Sequence, residues 1–440
     1  MNSMIESLAM NSVKDIGEEM YRLMVELFPI CRSITGAGFR ESLHILQRYI
    51  PLEMHEIPSG IPVFDWNVPK EWNVHDAWVK NSQGEKIIDI KRSNLHLLNY
   101  SIPFRGRVTL AELKGHLYTL PEQPDLIPYR TSYYAEKWGF CLSQNQLDTL
   151  KDDEYEVCID TTLQDGYLTY GELLIQGATR DEVLISCHSC HPSLCNDNLS
   201  GIVLATFLAR YLSSLQLHYS YRFLFIPGTI GSITWLALNE DSIRSIKHGL
   251  VVACVGDSGK STYKKSRQGN AEIDHVVEHV LIHSNQPYGI EEFSPYGYDE
   301  RQYCSPGFNL AVGSLTRTPH GRFPEYHTSA DNLDFVKSEY LMDSYMKYVE
   351  VVNILEKNEV FVNQNPKCEP RLGKRGLYNG LSGLKDPKTT EMALLWVLNL
   401  SDGEKSLLKI AERSGLSFRK IYEAASALVN VGLLKSRLRG

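Results

Sequence analysis

The residues best suited to chemistry fall in positions 181–212, DEVLISCHSCHPSLCNDNLSGIVLATFLARYL. His188, His191 and Asp197 lie within ten positions of one another there. Neutral imidazoles and a carboxylate are the usual ligands of a hydrolytic Zn²⁺, so this stretch offers half of a metal site. Two plainer readings stand beside it. Asp197 and Asn198 have the short polar side chains that cap a helix start. Cys187, Cys190 and Cys195 interleave with the histidines as in a structural zinc site, although no second ligand pair at knuckle-like spacing accompanies them. A further signal comes far downstream in FPEYHTSADN, residues 323–332. His327 is a candidate remote ligand, and Asp331 a candidate acceptor for its other ring N–H, which would fix the tautomer.

These groups need a scaffold that brings distant segments together. The apolar run 183–186 reads as a buried strand, followed by the turn Asn196-Asp197-Asn198 and an apolar helix from Ser200. In an open α/β sheet, ligands gather just beyond the carboxyl ends of strands, which is where His188, His191 and Asp197 fall. Strands at 221–226, 249–255 and 307–313 alternate with helices at 201–215, 232–239, 272–283 and 337–357. Asp257 follows the strand at 249–255 and joins the candidate ligands.

The flanking regions differ in texture. An amphipathic helix from about Ser12 leads to the loop FPICRSITGAG, which either presents Arg32, Ser33 and Thr35 to an anion or is a capped turn. Residues 54–160 are short β-rich pieces broken by Pro and Gly, and predict an inserted, mostly antiparallel domain between an α/β domain at 1–53 and 161–365. Within the insert, Tyr129, Tyr133 and Tyr134 either wall a substrate cleft or form a small core. Residues 366–388 read as a linker and 389–440 as a winged helix-turn-helix, with Arg419, Lys420, Lys435, Arg437 and Arg439 as candidate phosphate contacts and protein contacts as the alternative.

The 440 residues call for two or three domains. A formal charge of −8 argues against a whole-molecule affinity for nucleic acid or anionic membrane. There is no secretory signal pattern and no apolar run near the ~20 residues that span a bilayer. An odd nine cysteines, scattered along the chain, fit free thiols in a reducing compartment. A cytoplasmic protein without a membrane partner is expected, of open oligomeric state.

Asp197-Asn198-x-Ser200-Gly201 and Tyr326-His327-Thr328-x-x-Asp331 resemble zinc aminopeptidases of the bacterial leucyl aminopeptidase type. More closely, the chain resembles bacterial aminopeptidase-like proteins associated with polysaccharide biosynthesis. The motifs that carry this are Cys31-Arg32-Ser33-Ile34-Thr35-Gly36, Asp65-Trp66, Pro69-x-Glu71-Trp72, Thr131-Ser132-Tyr133-Tyr134, Trp138-Gly139-Phe140-Cys141, Cys190-His191-Pro192-Ser193 and Pro324-Glu325-Tyr326-His327-Thr328-Ser329. The resemblance implies a phosphorylase/hydrolase-like α/β core with a β-rich insert and a C-terminal winged helix. It also implies one or two zinc ions, or another divalent metal, with Asp197 in the bridging place, His327 as the late ligand, Asp257 as the later aspartate, and either His188 or His191 as the early histidine.

One departure bears on mechanism. Where the peptidases carry two adjacent glutamates, this chain has Gly228-Thr229, and neither residue accepts a proton at neutral pH. Glu325, Asp299 and Glu300 are the candidate substitutes, with Arg301 as a clamp for a substrate carboxylate. The expected function is metal-dependent amide hydrolysis on a peptide or amide-bearing small molecule, with Arg32 and Tyr133 as further substrate contacts. The alternative is an impaired scaffold that senses a ligand and reports through its winged helix.

Overall fold

The computed structural model describes residues 10–377 and 387–437. The described residues form two compact units, one of residues 10–271 with Pro287–Met346 and the other of Glu272–Gln286 with 347–377 and 387–437.

The first unit is built on an eight-stranded sheet in the order Glu53–Pro58, Tyr167–Ile175, Ser220–Ile226, Glu182–His188, Ile246–Val252, Val312–Thr316, Ser261–Lys264, Tyr288–Glu291. The four central strands, from Ser220–Ile226 to Val312–Thr316, run parallel. Glu182–His188 is buried at every position, as a strand covered on both faces must be, which is why Val183, Leu184 and Ile185 follow one another without alternating with polar residues. The helix Ser200–Leu212 is buried around nearly its whole circumference, which accounts for apolar residues at almost every position. Ser261–Lys264 and Tyr288–Glu291 extend the sheet although their sequences carry no strong strand signal, and the strand expected at 307–313 begins only at Val312.

Between the two strands at the sheet's edge lies the β-rich insert. Its four-stranded antiparallel sheet has the order Lys86–Asp89, Glu71–Lys80, Glu154–Gln164, Phe104–Thr109. A short hairpin, Pro62–Val63 with Trp66–Asn67, precedes it. The expected boundaries at 54 and 160 cut two strands, since Glu53–Pro58 belongs to the large sheet and Glu154–Gln164 continues four residues further. Both sides of each boundary are β-structure, so a change of texture could not mark the break.

The second unit holds the helices Pro387–Leu400, Leu407–Ser414 and Phe418–Asn430 and a three-stranded sheet ordered Asp402–Ser406, Val360–Asn363, Leu434–Ser436. The central strand of that sheet precedes the region expected to be a linker, so the winged-helix fold begins before residue 366 and not at 389. The helix Glu272–Ile282 also belongs here: its apolar side, Ile273, Val276, Val277, Val280 and Leu281, is buried, Leu407–Ser414 packs on it, and His279 Nε2 accepts the Phe418 N–H at 2.9 Å. Arg419 and Lys420 both face Glu423, whose single charge offsets at most half of theirs. Arg437 donates to the Gly403 carbonyl, and Arg439 lies outside the described residues. Among the described residues no helix is long and apolar enough to cross a membrane.

Candidate metal centre

Asp197 is fully buried at the turn between the central strand and its helix. A bare carboxylate there needs partners, and it has three. His188 Nε2 lies 2.8 Å from Oδ1, while His327 Nε2 lies 2.9 Å and the Tyr298 hydroxyl 2.7 Å from Oδ2. His191 completes the group, with ligand atoms of His188, His191 and Asp197 all within 4.8 Å of one another. Both early histidines are therefore present, together with the remote His327.

The turn is held by backbone contacts that explain its polar sequence. Asp331 accepts the N–H groups of Asn196 at 2.6 Å and Asp197 at 2.9 Å. Among the described residues no hydrogen bond joins Asp331 to His327; in place of the expected bond to the second ring nitrogen, Asp331 grips the turn that carries Asp197. Asn198 supplies the helix-start contact, accepting from Gly201 N at 3.2 Å, and ties the turn to two strand ends by donating to the His188 and Val252 carbonyls at 3.0 Å. A Cβ at Gly201 would come within 2.6 Å of the Val252 carbonyl oxygen, so glycine is required. Capping and ligation thus divide between neighbours: Asn198 caps, and Asp197 faces the histidines.

Electrostatics favour ligand protonation states. Burial pushes His191 down to about 3, leaving its ring neutral with a free lone pair at neutral pH. Burial alone would raise Asp197, but the surrounding imidazoles of His191, His188 and His327 outweigh it and hold the carboxyl well below the usual range. Three imidazoles and one ionised carboxylate are the chemistry of a zinc-type site, so the residues fit such an ion.

Several expected residues do other work. Asp257 is spent on Asn196 Nδ2 at 2.9 Å, on Gly259 N and Thr318 Oγ1 at 2.6 Å each, and on Thr318 N at 3.2 Å, so it braces the turn from behind instead of joining the ligands. Glu300 is buried in an ion pair with Lys264 at 2.8 Å and also accepts from Tyr298 N, which removes it as a proton acceptor. Glu325 is half-buried in the His327 loop, where its carbonyl accepts from Thr328 N at 3.0 Å, and it is not part of the ligand group. Arg301 follows Glu300 on a one-turn helix, and its Nε is buried with no hydrogen-bond partner among the described residues. Arg32 is wholly buried, not presented to an anion: Nε donates to the His191 carbonyl at 2.9 Å and Nη1 to the Leu27 carbonyl at 2.6 Å, and burial lowers it to about 10. It supports the His191 loop from inside.

Asp299 is different. Its Oδ1 accepts from Ser232 at 2.7 Å, its Oδ2 is buried without a hydrogen-bond partner among the described residues, and burial raises it to about 6. A Cβ built at Gly228 would lie 2.9 Å from His188 Cβ and 3.5 Å from Asp299 Oδ2. The carboxylate therefore stands beside the space that a side chain at 228 would enter.

The insert walls the cluster. Its segment 127–129 runs along the His327 loop, with Tyr129 N donating to the His327 carbonyl at 2.7 Å and Ser329 N to the Ile127 carbonyl at 2.9 Å. The Tyr129 ring lies 5.2 Å from His191 and 5.1 Å from His327, and it also packs with Leu95 and Leu194. Cleft wall and core are one and the same at this residue. Tyr133 reaches Tyr129 hydroxyl to hydroxyl at 3.0 Å. On the far side, Tyr298 stacks on His188 at 4.3 Å, and Tyr326 stacks on His327 at 3.9 Å. Tyr298 touches Asp197 directly, yet no spacing in the sequence marks it.

Family comparisons agree with this architecture. A domain of unknown function, DUF4910, matches residues 21–358, and a winged helix-turn-helix family matches 359–436. The chain belongs to the DUF4910 family. A relative from Clostridium acetobutylicum, 56% identical over 421 residues covering 96% of this chain and 97% of its own, carries the provisional name polysaccharide biosynthesis protein with aminopeptidase-like domain. A crystal structure from the same species, provisionally called a peptidase, matches with a TM-score of 0.93 at 54% identity over 97% of this chain and 98% of that one. A zinc aminopeptidase from Bacillus subtilis matches with a TM-score of 0.55 at 13% identity, over 77% of this chain and 94% of that one. The DUF4910 portion thus has the aminopeptidase-like α/β fold, followed by a winged helix.

Proposed function

We propose that this DUF4910 protein is a metal-dependent amide hydrolase of aminopeptidase type. The observation that carries the reading is the convergence of His188, His191 and His327 on the buried carboxylate of Asp197. These four residues would hold one divalent ion, zinc by donor chemistry. A single ion is the reading we favour, because among the described residues Asp257 and Glu300 are engaged elsewhere and positions 228–229 bear no carboxylate. When bound, the ion supplies Lewis-acid polarisation of a scissile carbonyl and acidifies a nearby water.

The protein supplies the rest. Asp299, with its unpaired Oδ2 beside His188, takes the proton from the attacking water and returns it to the leaving amine. The Tyr298 hydroxyl holds Asp197 Oδ2 and keeps that carboxylate in a fixed orientation. Tyr129 and the insert exclude bulk water and limit what reaches the cluster. The substrate is an amide on a peptide or a small molecule.

The test is metal analysis of the purified protein followed by an aminoacyl-amide panel with added Zn²⁺, Mn²⁺ and Co²⁺. About one ion per chain and metal-dependent turnover are expected; absence of metal after loading would end the proposal. The loss of a glutamate pair at Gly228-Thr229 favours a second reading, a ligand sensor that reports through the winged helix to nucleic acid or to a protein partner. Metal retention without turnover, joined to DNA retention that falls with salt, would select it.

A further inference from the structure

The hairpin at 62–67 and the loop at 133–134 leave an aromatic surface that the mechanism does not use. Trp66 is 47% exposed and Tyr134 56% exposed, and their rings meet at 5.3 Å with a 54° tilt. Phe64, at the hairpin tip, is 53% exposed and lies 5.7 Å from Phe308. The hairpin buries Val63 and leaves about half of each aromatic side chain to solvent, so packing on Phe308 and Tyr134 accounts for only part of their surface. A hairpin with two residues per strand has little stability of its own to spend on exposed rings.

The backbone adds a second, independent sign. Phe64 at φ 57° and Tyr134 at φ 62° occupy the left-handed region, which side chains with a Cβ rarely adopt. Strain of this kind persists only where surrounding structure enforces it, and it concentrates at ligand clamps. Both strained residues are members of the exposed aromatic set.

Two paths join this surface to the metal cluster. Tyr134 follows Tyr133, whose hydroxyl meets that of Tyr129, whose ring in turn lies against His191 and His327. On the other side, Pro62–Val63 packs against the helix Ile230–Leu238, which starts two residues after Gly228 beside His188.

We infer that Trp66 and Tyr134 form a platform for a pyranose ring, so that the amide presented to His188, His191, Asp197 and His327 is carried on an N-acylated aminosugar. This rests on the hydrolase reading and names its substrate class. A pyranose has an apolar C–H face that stacks on an indole or phenol ring and a hydroxyl edge that stays hydrated. The open faces here, flanked by the exposed Asp65 and Asn67 as hydrogen-bonding partners, suit that amphipathic ring. An apolar peptide side chain would instead gain most from an enclosed pocket.

The experiment is binding of triacetylchitotriose, with Leu-Leu-Leu amide as the contrasting probe, to the full chain by titration calorimetry and saturation-transfer NMR. Binding of the trisaccharide to wild type, weakened at least roughly tenfold in the W66A/Y134A double variant and largely retained in W66F, is expected. Tripeptide binding should stay unchanged in all variants, and the thermal midpoint should fall only slightly, since each side chain is about half exposed. Absence of trisaccharide binding to wild type, undiminished binding in the double variant, or selective loss of the tripeptide would overturn the assignment. Because binding is read without turnover, the platform can stand where hydrolysis fails, and the reverse.

Discussion

Two corners of the same cleft are built on opposite plans. At the ligand corner, Asp197 meets two imidazoles and a phenol, its backbone N–H is held by Asp331, and its neighbours Asn198 and Asn196 anchor the turn to the His188 carbonyl and the Gly256 N–H, with Asn196 also donating to Asp257. At the facing corner, Gly228 offers no side chain, and the carboxylate beside it is Asp299, which arrives from a different loop with one oxygen unpaired among the described residues. Redundant support suits a group that must hold a charged ion at fixed geometry. A single, incompletely satisfied carboxylate with a raised pKa suits a group that must exchange a proton near neutral pH.

The largest effect should come from breaking the ligand corner. D197A and H327A should reduce bound zinc from about one per chain to none by atomic absorption, and turnover should vanish with it. D299N should separate the corners: zinc content unchanged, with kcat lower by about 10²–10³-fold. In wild type, kcat/KM should rise with pH through about 6 as Asp299 ionises, and that limb should be missing from the residual rate of D299N. Zinc loss in D299N would collapse the distinction between the corners.

Smaller effects sharpen it. D331N keeps every ligand but slackens the turn, and a 10–100-fold weaker zinc affinity by competition with a chelator is expected. G228A should cost about 1–3 kcal/mol in denaturant unfolding, because its Cβ meets His188 Cβ at 2.9 Å and neither atom can rotate away.

Farthest from the chemistry is Glu71, which accepts from Arg40 at 2.5 Å, Asn73 at 3.0 Å and Tyr167 N at 2.9 Å, joining the insert to the α/β core. Burial opposes its charge, but these contacts prevail and lower it to about 2. A depressed folded-state value means stability that is present above the usual 4.5 and lost as pH falls toward 2. E71Q should therefore lower the thermal midpoint modestly at pH 7, and the gap to wild type should close across that interval.

The ligand corner was legible in the sequence because its residue types announce their chemistry and its strand and helix are long apolar runs. The run 183–186 and the largely apolar 200–212 helix read as a buried strand and helix, which puts His188 and Asp197 just past a strand end. Asp257 shows where that logic stops. Its position after a strand was right, but only tertiary packing reveals that Asn196 and Thr318 saturate its oxygens. Tyr298 escaped for the converse reason: a tyrosine in a short loop carries no periodic or motif signal, and its partner is about a hundred residues away. Arg32 misled because a polar, glycine-bearing loop usually faces solvent, whereas here it turns inward under His191. At the wing, four residues directly after a long helix were too few to register as a strand.

The placement of helix Glu272–Ile282 has a consequence for how such chains can be shuffled in evolution. The two family matches meet at residues 358 and 359, yet this helix, encoded well upstream, completes the C-terminal unit. A gene fusion or deletion at that junction would take Leu407–Ser414 away from this helix and leave His279 without the N–H it accepts. The winged helix is therefore not an interchangeable appendage. Lineages that exchange or discard it must rewrite the segment between Ser261–Lys264 and Tyr288–Glu291 at the same time, which predicts that the two stretches vary together across relatives.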